Sequence, residues 1–134
     1  MQRITVLCVG KLKEKFYADA AAEYIKRLSR YCKLDVVELP ETRLPEDPSP
    51  AEIQKALAAE ANAIRQKLEA GAVVAMCIEG KTCSSEALSK KLADFALEGK
   101  SRVTFLIGGS FGLDETLKKQ ADWRLSMSPM TFPH

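Results

Sequence analysis

No apolar run in this chain approaches the ~18 residues that a membrane span needs; the continuously apolar stretch Ala72 to Ile78 (AVVAMCI) is far shorter. After Arg3 the opening residues form only a brief apolar run, with no long h-region and no small-residue cleavage site. A cytoplasmic protein without a membrane partner is expected. Histidine is reduced to His134, and the cysteines Cys8, Cys32, Cys77 and Cys83 contain no C-x-x-C pair. The ligand set for structural zinc is missing, so no metal is expected. The cysteines read as reduced and mostly buried thiols, with Cys8 and Cys77 inside apolar runs. The net charge is only +2, from 20 Lys and Arg against 18 Asp and Glu, which neither requires nor excludes an acidic partner. Glycine is sparse where a dinucleotide fingerprint would need it. The first turn, VGKLKEKFY, has one glycine, and the G-K-T at Gly80 to Thr82 lacks the earlier glycine of a P-loop.

What is present is a regular alternation of short apolar runs and amphipathic stretches. The 134 residues are 46% hydrophobic, enough for one domain that buries about two thirds of its unfolded surface. Arg3 to Val9 reads as a first strand closed by Gly10. Tyr17, Ala20, Ala21, Tyr24, Leu28 and Tyr31 then recur at helical spacing as a core-facing stripe. Lys33 to Leu39 is a second strand, and the proline-rich segment from Pro40 to Pro50 is a surface loop. Ser49 with Pro50 and Glu52 starts a helix through Ile53, Leu57, Ala61, Ile64 and Leu68 to Gly71. Ala72 to Ile78 is a strand covered on both faces. Ser84 or Ser85 begins a helix to Gly99, Arg102 to Ile107 is a fourth strand, Asp114 to Gln120 a short helix, and Trp123 to Met127 a last strand. The order predicts an α/β fold: a mostly parallel sheet with helices on both faces.

Two turns follow strands at what such a sheet makes its ligand-binding edge. In LIGGSFGLD, Gly108, Gly109 and Gly112 let backbone approach a ligand or adopt positive φ. In LSMSPMTFPH, Ser126 and Ser128 alternate with Met127 and Met130 while Pro129 fixes a bend. Polar backbone beside thioethers suits a neutral purine. Together the turns predict one pocket. Charge is uneven along the chain: Lys11, Lys13, Lys15, Lys26, Arg27, Arg30 and Lys33 outweigh Glu14, Asp19 and Glu23 near the first turn, whereas acids dominate from Glu38 to Glu52.

The segments VLCVGKLKEKFYADAAAEYIKRLSRY, VVAMCIEGKTCSSEALSKKL, IGGSFGLD and SMSPMTFPH, collinear from Met1 to His134, resemble the RlmH family. These are small bacterial methyltransferases of the knotted SPOUT class, which methylate N3 of a pseudouridine in large-subunit (23S) ribosomal RNA. The resemblance implies a trefoil knot and S-adenosyl-L-methionine as cofactor. Carried over position by position, cofactor contacts fall on Met76, Gly108, Met127, Ser128, Pro129, Met130, Thr131 and Phe132. It also implies a homodimer whose substrate is ribosomal RNA in the assembled ribosome.

In the family the chain runs on past the Pro-His pair into a helix that closes the knot and a tail near the target base. The expectation for residues 1–134 is therefore a single SPOUT-type domain, C-terminally truncated relative to the family, with an incomplete knot. His134 is the one side chain with an unperturbed pKa suited to removing the N3 proton, and is the candidate catalytic residue. Glu79 and Lys81 follow the third strand at the same edge. Lys11, Lys13 and Lys15 are candidates for RNA phosphate contacts. The competing reading is a non-catalytic adenosyl- or nucleotide-binding module, either a fragment or a flavodoxin-like domain.

Overall fold

The computed structural model of the chain describes residues 1–132; Pro133 and His134 lie outside the described residues. Along it run β1 (Gln2–Val9), α1 (Lys15–Leu28), β2 (Cys32–Leu39), α2 (Pro50–Lys67), β3 (Ala72–Lys81), α3 (Ser85–Leu97), β4 (Arg102–Ile107), α4 (Glu115–Gln120) and β5 (Trp123–Leu125). The five strands form one sheet in the order β2-β1-β4-β3-β5, and every strand pair is parallel. The fold is therefore α/β, as the alternation predicted.

Connection direction assigns the helices. From β1 to β2 and from β3 to β4 the chain steps one way across the sheet, whereas from β2 to β3 and from β4 to β5 it steps the other way. Right-handed crossovers then place α1 and α3 on one face and α2 and α4 on the other. The buried side chains agree. Leu7, Val9, Ala75 and Leu106 pack with Ala61 and Ile64 of α2 and Leu117 of α4. On the opposite face Ala72, Val74 and Val103 pack with Phe95 of α3. Alternation of side chains along each strand feeds both layers, which is why AVVAMCI shows no polar face.

Local signals hold where they are chemical. Ser49 caps α2 through a reciprocal capping box with Glu52, and Pro50 occupies the first turn. Ser84 caps α3 by accepting from the Ala87 amide, and Asp114 caps α4 by accepting from Thr116 and Leu117. Gly71, at φ +145, carries no side chain because a Cβ would come within 2.3 Å of the Arg102 carbonyl.

Three expectations change. The core-facing line of α1 is Tyr17, Ala21 and Ile25, each half-buried, and no residue of the helix is fully buried. Tyr24 and Tyr31 stay 61% and 73% exposed, and Leu28 is exposed as well. An i, i+4, i+8 line is narrower than the stripe read from the sequence, because α1 lies over the edge pair β1–β2 and has sheet beneath only one side of it. Second, β3 runs on to Lys81 instead of ending at Ile78, and β5 stops at Leu125 instead of Met127. Third, the thiols are less buried than expected: Cys8, Cys32 and Cys77 are partly exposed and Cys83 fully so, all of them free.

Leu106 is completely buried between the central strands and α2 and α4. Leu106→Ala should cost about 3 kcal/mol of unfolding free energy, from lost transfer energy plus the residual cavity. Urea denaturation should show this as a lower midpoint with an unchanged slope.

Candidate active site

The carboxyl ends of β3, β4 and β5 enclose a cavity of about 520 Å³. Its walls come from three stretches remote in sequence: Met76 to Glu79, Ile107 to Leu113, and Leu125 to Phe132. Of the residues expected to touch a cofactor, Met76, Gly108, Met127, Ser128, Met130, Thr131 and Phe132 all line it. Pro129 does not; it sits in the turn between lining residues and is exposed. His134, the candidate catalytic residue, lies outside the described residues.

The first wall exists because β3 bulges. Leu125 pairs with Met76 and again with Lys81, so the residues between them arch away from the sheet plane. Gly80 permits the arch to close, since a Cβ there would meet the Arg124 backbone at 2.8 Å. The Ser126 amide then donates to the Lys81 carbonyl at 3.0 Å, tying the arch to the last turn. Strand propensity reads neither the bulge nor the extension, because both depend on β5 as a neighbour.

The second wall is the glycine turn, which folds back on itself. Gly109 and Gly112 form an isolated antiparallel bridge, and the Gly112 amide donates to the Gly109 carbonyl at 3.0 Å. A Cβ on Gly108 would lie 2.3 Å from the Gly112 carbonyl oxygen. Gly108 is thus required by the turn's own closure, a correction to the expectation that its space is kept for a ligand. At Gly109 a Cβ would come within 2.7 Å of the Glu41 carboxylate, which accepts from the Ser110 amide at 2.8 Å. Glu41 therefore braces the turn from the segment after β2.

The third wall is the turn after β5. The buried Ser126 hydroxyl donates to the Ser128 carbonyl and accepts from the Ser128 amide, while the Ser128 hydroxyl accepts from the Met130 amide. These bonds use the Ser126 hydroxyl as donor and acceptor and the Ser128 hydroxyl as acceptor to shape the turn. The amide and carbonyl of Met127 bond to no other described residue, so this donor and acceptor pair stays available at the cavity. Met127 and Met130 are 75% and 69% exposed, and Ile78, Ile107, Phe111 and Phe132 also present apolar surface. Soft apolar faces beside free backbone polar groups suit an adenine ring and its edge.

One charged group was not singled out in the sequence. Lys118 of α4 is nearly buried, lines the cavity, and bonds both Glu79 at 2.5 Å and Glu115 at 2.8 Å. Glu79 therefore pairs with Lys118 and not with its sequence neighbour Lys81. The partner is invisible in sequence because β3 and α4 meet only after the sheet forms. The Lys118 hydrogen bond, more than any other influence, holds the Glu79 carboxyl below its ordinary value. Burial works against the Lys118 ammonium, but its hydrogen bonds to Glu115 and Glu79 outweigh that and raise its pKa. Burial, reinforced by the nearby Glu79 charge, raises the Cys77 thiol, and burial with Glu38 raises Cys8, so neither is a ready nucleophile. Among the described residues no cluster of three or more His, Cys, Asp or Glu is placed to hold a metal ion, and no helix is long and apolar enough to cross a membrane.

A parallel α/β sheet whose β3, β4 and β5 exits shape one cavity is consistent with a SPOUT-class methyltransferase domain. The family model described as "Predicted SPOUT methyltransferase" matches residues 2–134, and the chain belongs to this family. Among its relatives, the ribosomal RNA large subunit methyltransferase H of Acetivibrio thermocellus is 46% identical over 133 residues, covering 98% of this chain and 84% of the relative. The proteins of the same name from Streptococcus suis and Bifidobacterium adolescentis are 45% and 47% identical with the same coverage.

The Glu79–Lys118 pair predicts a pH signature. A lowered carboxyl pKa contributes stability that is present above the ordinary value of 4.5 and lost as pH falls through the lowered one. The raised Lys118 contributes below its ordinary 10.5 and loses that contribution as pH rises through the raised value. Glu79→Gln should lower stability at pH 7 by no more than about 1 kcal/mol, since Glu79 is half exposed and screened. In thermal melts the gap from the parent should close as pH drops well below 4.5.

Proposed function

We propose that the chain binds S-adenosyl-L-methionine in the cavity at the ends of β3, β4 and β5. The methyl group goes to N3 of a pseudouridine in large-subunit ribosomal RNA of the assembled ribosome. The observation that carries this reading is the convergence of Met76, Gly108 and the Met127–Phe132 turn on one cavity. Family membership and the names of the relatives support methyl transfer and the RNA class.

When bound, the cofactor supplies a sulfonium-activated methyl group for in-line displacement, so the protein's task is largely positioning. The Met127 amide and carbonyl, which bond to no other described residue, would hold the adenine edge, and Met127 and Met130 would supply apolar contact to the ring. Glu79, kept ionised by Lys118, places a carboxylate on a cavity whose ligand carries sulfonium and ammonium charges. Lys118 is neutralised by its two carboxylate partners, so it does not oppose that ligand. The glycine turn, braced by Glu41, would present backbone rather than side chain to the cofactor. His134 remains the proposed proton acceptor for N3 by its chemistry. The apolar rim formed by Ile78, Ile107, Phe111 and Phe132 supports a homodimer in which a second copy covers the mouth of the site.

Calorimetry with S-adenosylmethionine, FMN and ATP on one preparation tests the reading. Saturable heat with S-adenosylmethionine alone is expected, whereas heat with FMN alone would favour a flavodoxin-like module. Met130→Glu places a charge against the adenine without disturbing the core, since Met130 is 69% exposed. It should weaken the cofactor by at least about tenfold and leave the melting temperature unchanged. Unaltered affinity would remove the last turn from the site.

A further inference from the structure

The chain leaving β1 crosses toward β2, and the chain leaving β4 crosses toward β5 on the opposite side. Between these neighbouring strands lies the switch point of the sheet, where open α/β folds bind ligands. The methyl-donor cavity, built from β3, β4 and β5, lies to one side of it. A second cavity of about 720 Å³ opens on its other side, over the exits of β1 and β2, with Ser110 of the turn after β4 at its border. Among the described residues only Ser110 lines both cavities, so the turn after β4 is the wall between them.

The chemistry of the second cavity is mixed in an informative way. Lys11 and Lys13 reach it from the β1–α1 loop and Arg43 from the segment after β2. None of these cations forms an ion pair with another described residue, whereas Lys15 is taken up by Asp19 at 2.7 Å. Tyr17 adds a half-buried ring, stacked at a tilt on Phe16 with centroids 4.5 Å apart. Glu14, Glu38 and Glu41 line the cavity with carboxylates, Glu41 already holding the Ser110 amide. A simple anion would satisfy the cations and be repelled by the carboxylates. A nucleotide answers all the groups at once: phosphate for the cations, ribose hydroxyl and base N–H for the carboxylates, and a π-face for the ring.

We propose that this second cavity is the subsite for one nucleotide of single-stranded RNA that flanks the methylated base. Its phosphate rests on Lys11, Lys13 and Arg43, and its base lies against Tyr17. The inference rests on the ribosomal RNA reading above and extends it: the substrate strand crosses the Ser110 wall, one nucleotide on each side. A charged first loop and a proline-rich segment, unremarkable separately, become a recognition surface because β1 and β2 end side by side.

The test is anisotropy of a fluorescein-labelled single-stranded RNA pentamer at several salt concentrations, with S-adenosylmethionine calorimetry on the same preparations. Lys13 and Arg43 are exposed, so their variants keep the fold. Lys13→Ala and Arg43→Ala should each weaken the pentamer about tenfold at low salt and flatten the salt slope by about one. Tyr17→Leu should weaken it without altering the slope, and Lys90→Ala on α3 should change nothing. Heat from S-adenosylmethionine should be the same throughout. Normal cofactor heat with a pentamer indifferent to Lys13, Arg43 and Tyr17 would overturn the subsite and leave the methyltransferase reading in place. A pentamer that depends on these residues in a protein giving no cofactor heat would uphold the subsite and end that reading.

Discussion

β4 pairs in parallel with β1 on one side and β3 on the other, and the position of every functional group follows from that central placement. Parallel pairing brings all strand exits to one edge, so loops separated by many residues become neighbours without contacting each other during early folding. Leu106, fully buried, locks the strand in the core immediately before Ile107 and the glycine turn emerge. The turn is thus presented from a central, largely buried strand of the sheet. Binding groups held by such a support lose little freedom when a ligand arrives.

The donor cavity is built mainly from backbone and soft side chains, and its charges are paired with each other. Ser126 uses its hydroxyl as donor and acceptor in the last turn, and the Ser128 hydroxyl accepts from the Met130 amide. Lys118 is divided between two carboxylates. The rest of the lining is largely backbone and apolar side chain, which suits a neutral ring. The cavity across Ser110 has the opposite character, lined by Lys11, Lys13 and Arg43, none of which forms an ion pair with another described residue. The two environments lie side by side, and one short turn divides them.

Several features were legible in the residues alone because their causes are local. The Ser49 capping box, the two-faced burial of AVVAMCI and the parallel topology each follow from propensity, capping chemistry or connection rules, whereas α2 ends at Lys67, short of the expected stop at Gly71. The family resemblance placed Met76, Gly108 and most of the Met127–Phe132 turn at one site before any geometry was known. Other features depend on neighbours distant in sequence. The stripe on α1 was read too wide because sequence periodicity reports apolar residues and not how much sheet lies beneath them. Gly108 was assigned to ligand space, while its actual constraint is the Gly112 carbonyl across the turn.

Local composition and the order of elements thus determined the class of fold and the edge at which the glycine turn and the last turn meet, since each derives from interactions within a few residues or from chain connectivity. The tertiary structure alone decided that Glu79 pairs with Lys118, that Glu41 braces the glycine turn, that β3 bulges over β5, and that Lys11, Lys13 and Arg43 share a cavity. These are contacts between segments 39 to 69 residues apart in the cases of Lys118 and Ser110. Only the assembled sheet makes such segments neighbours, and no short-range pattern in the sequence records which of them will meet.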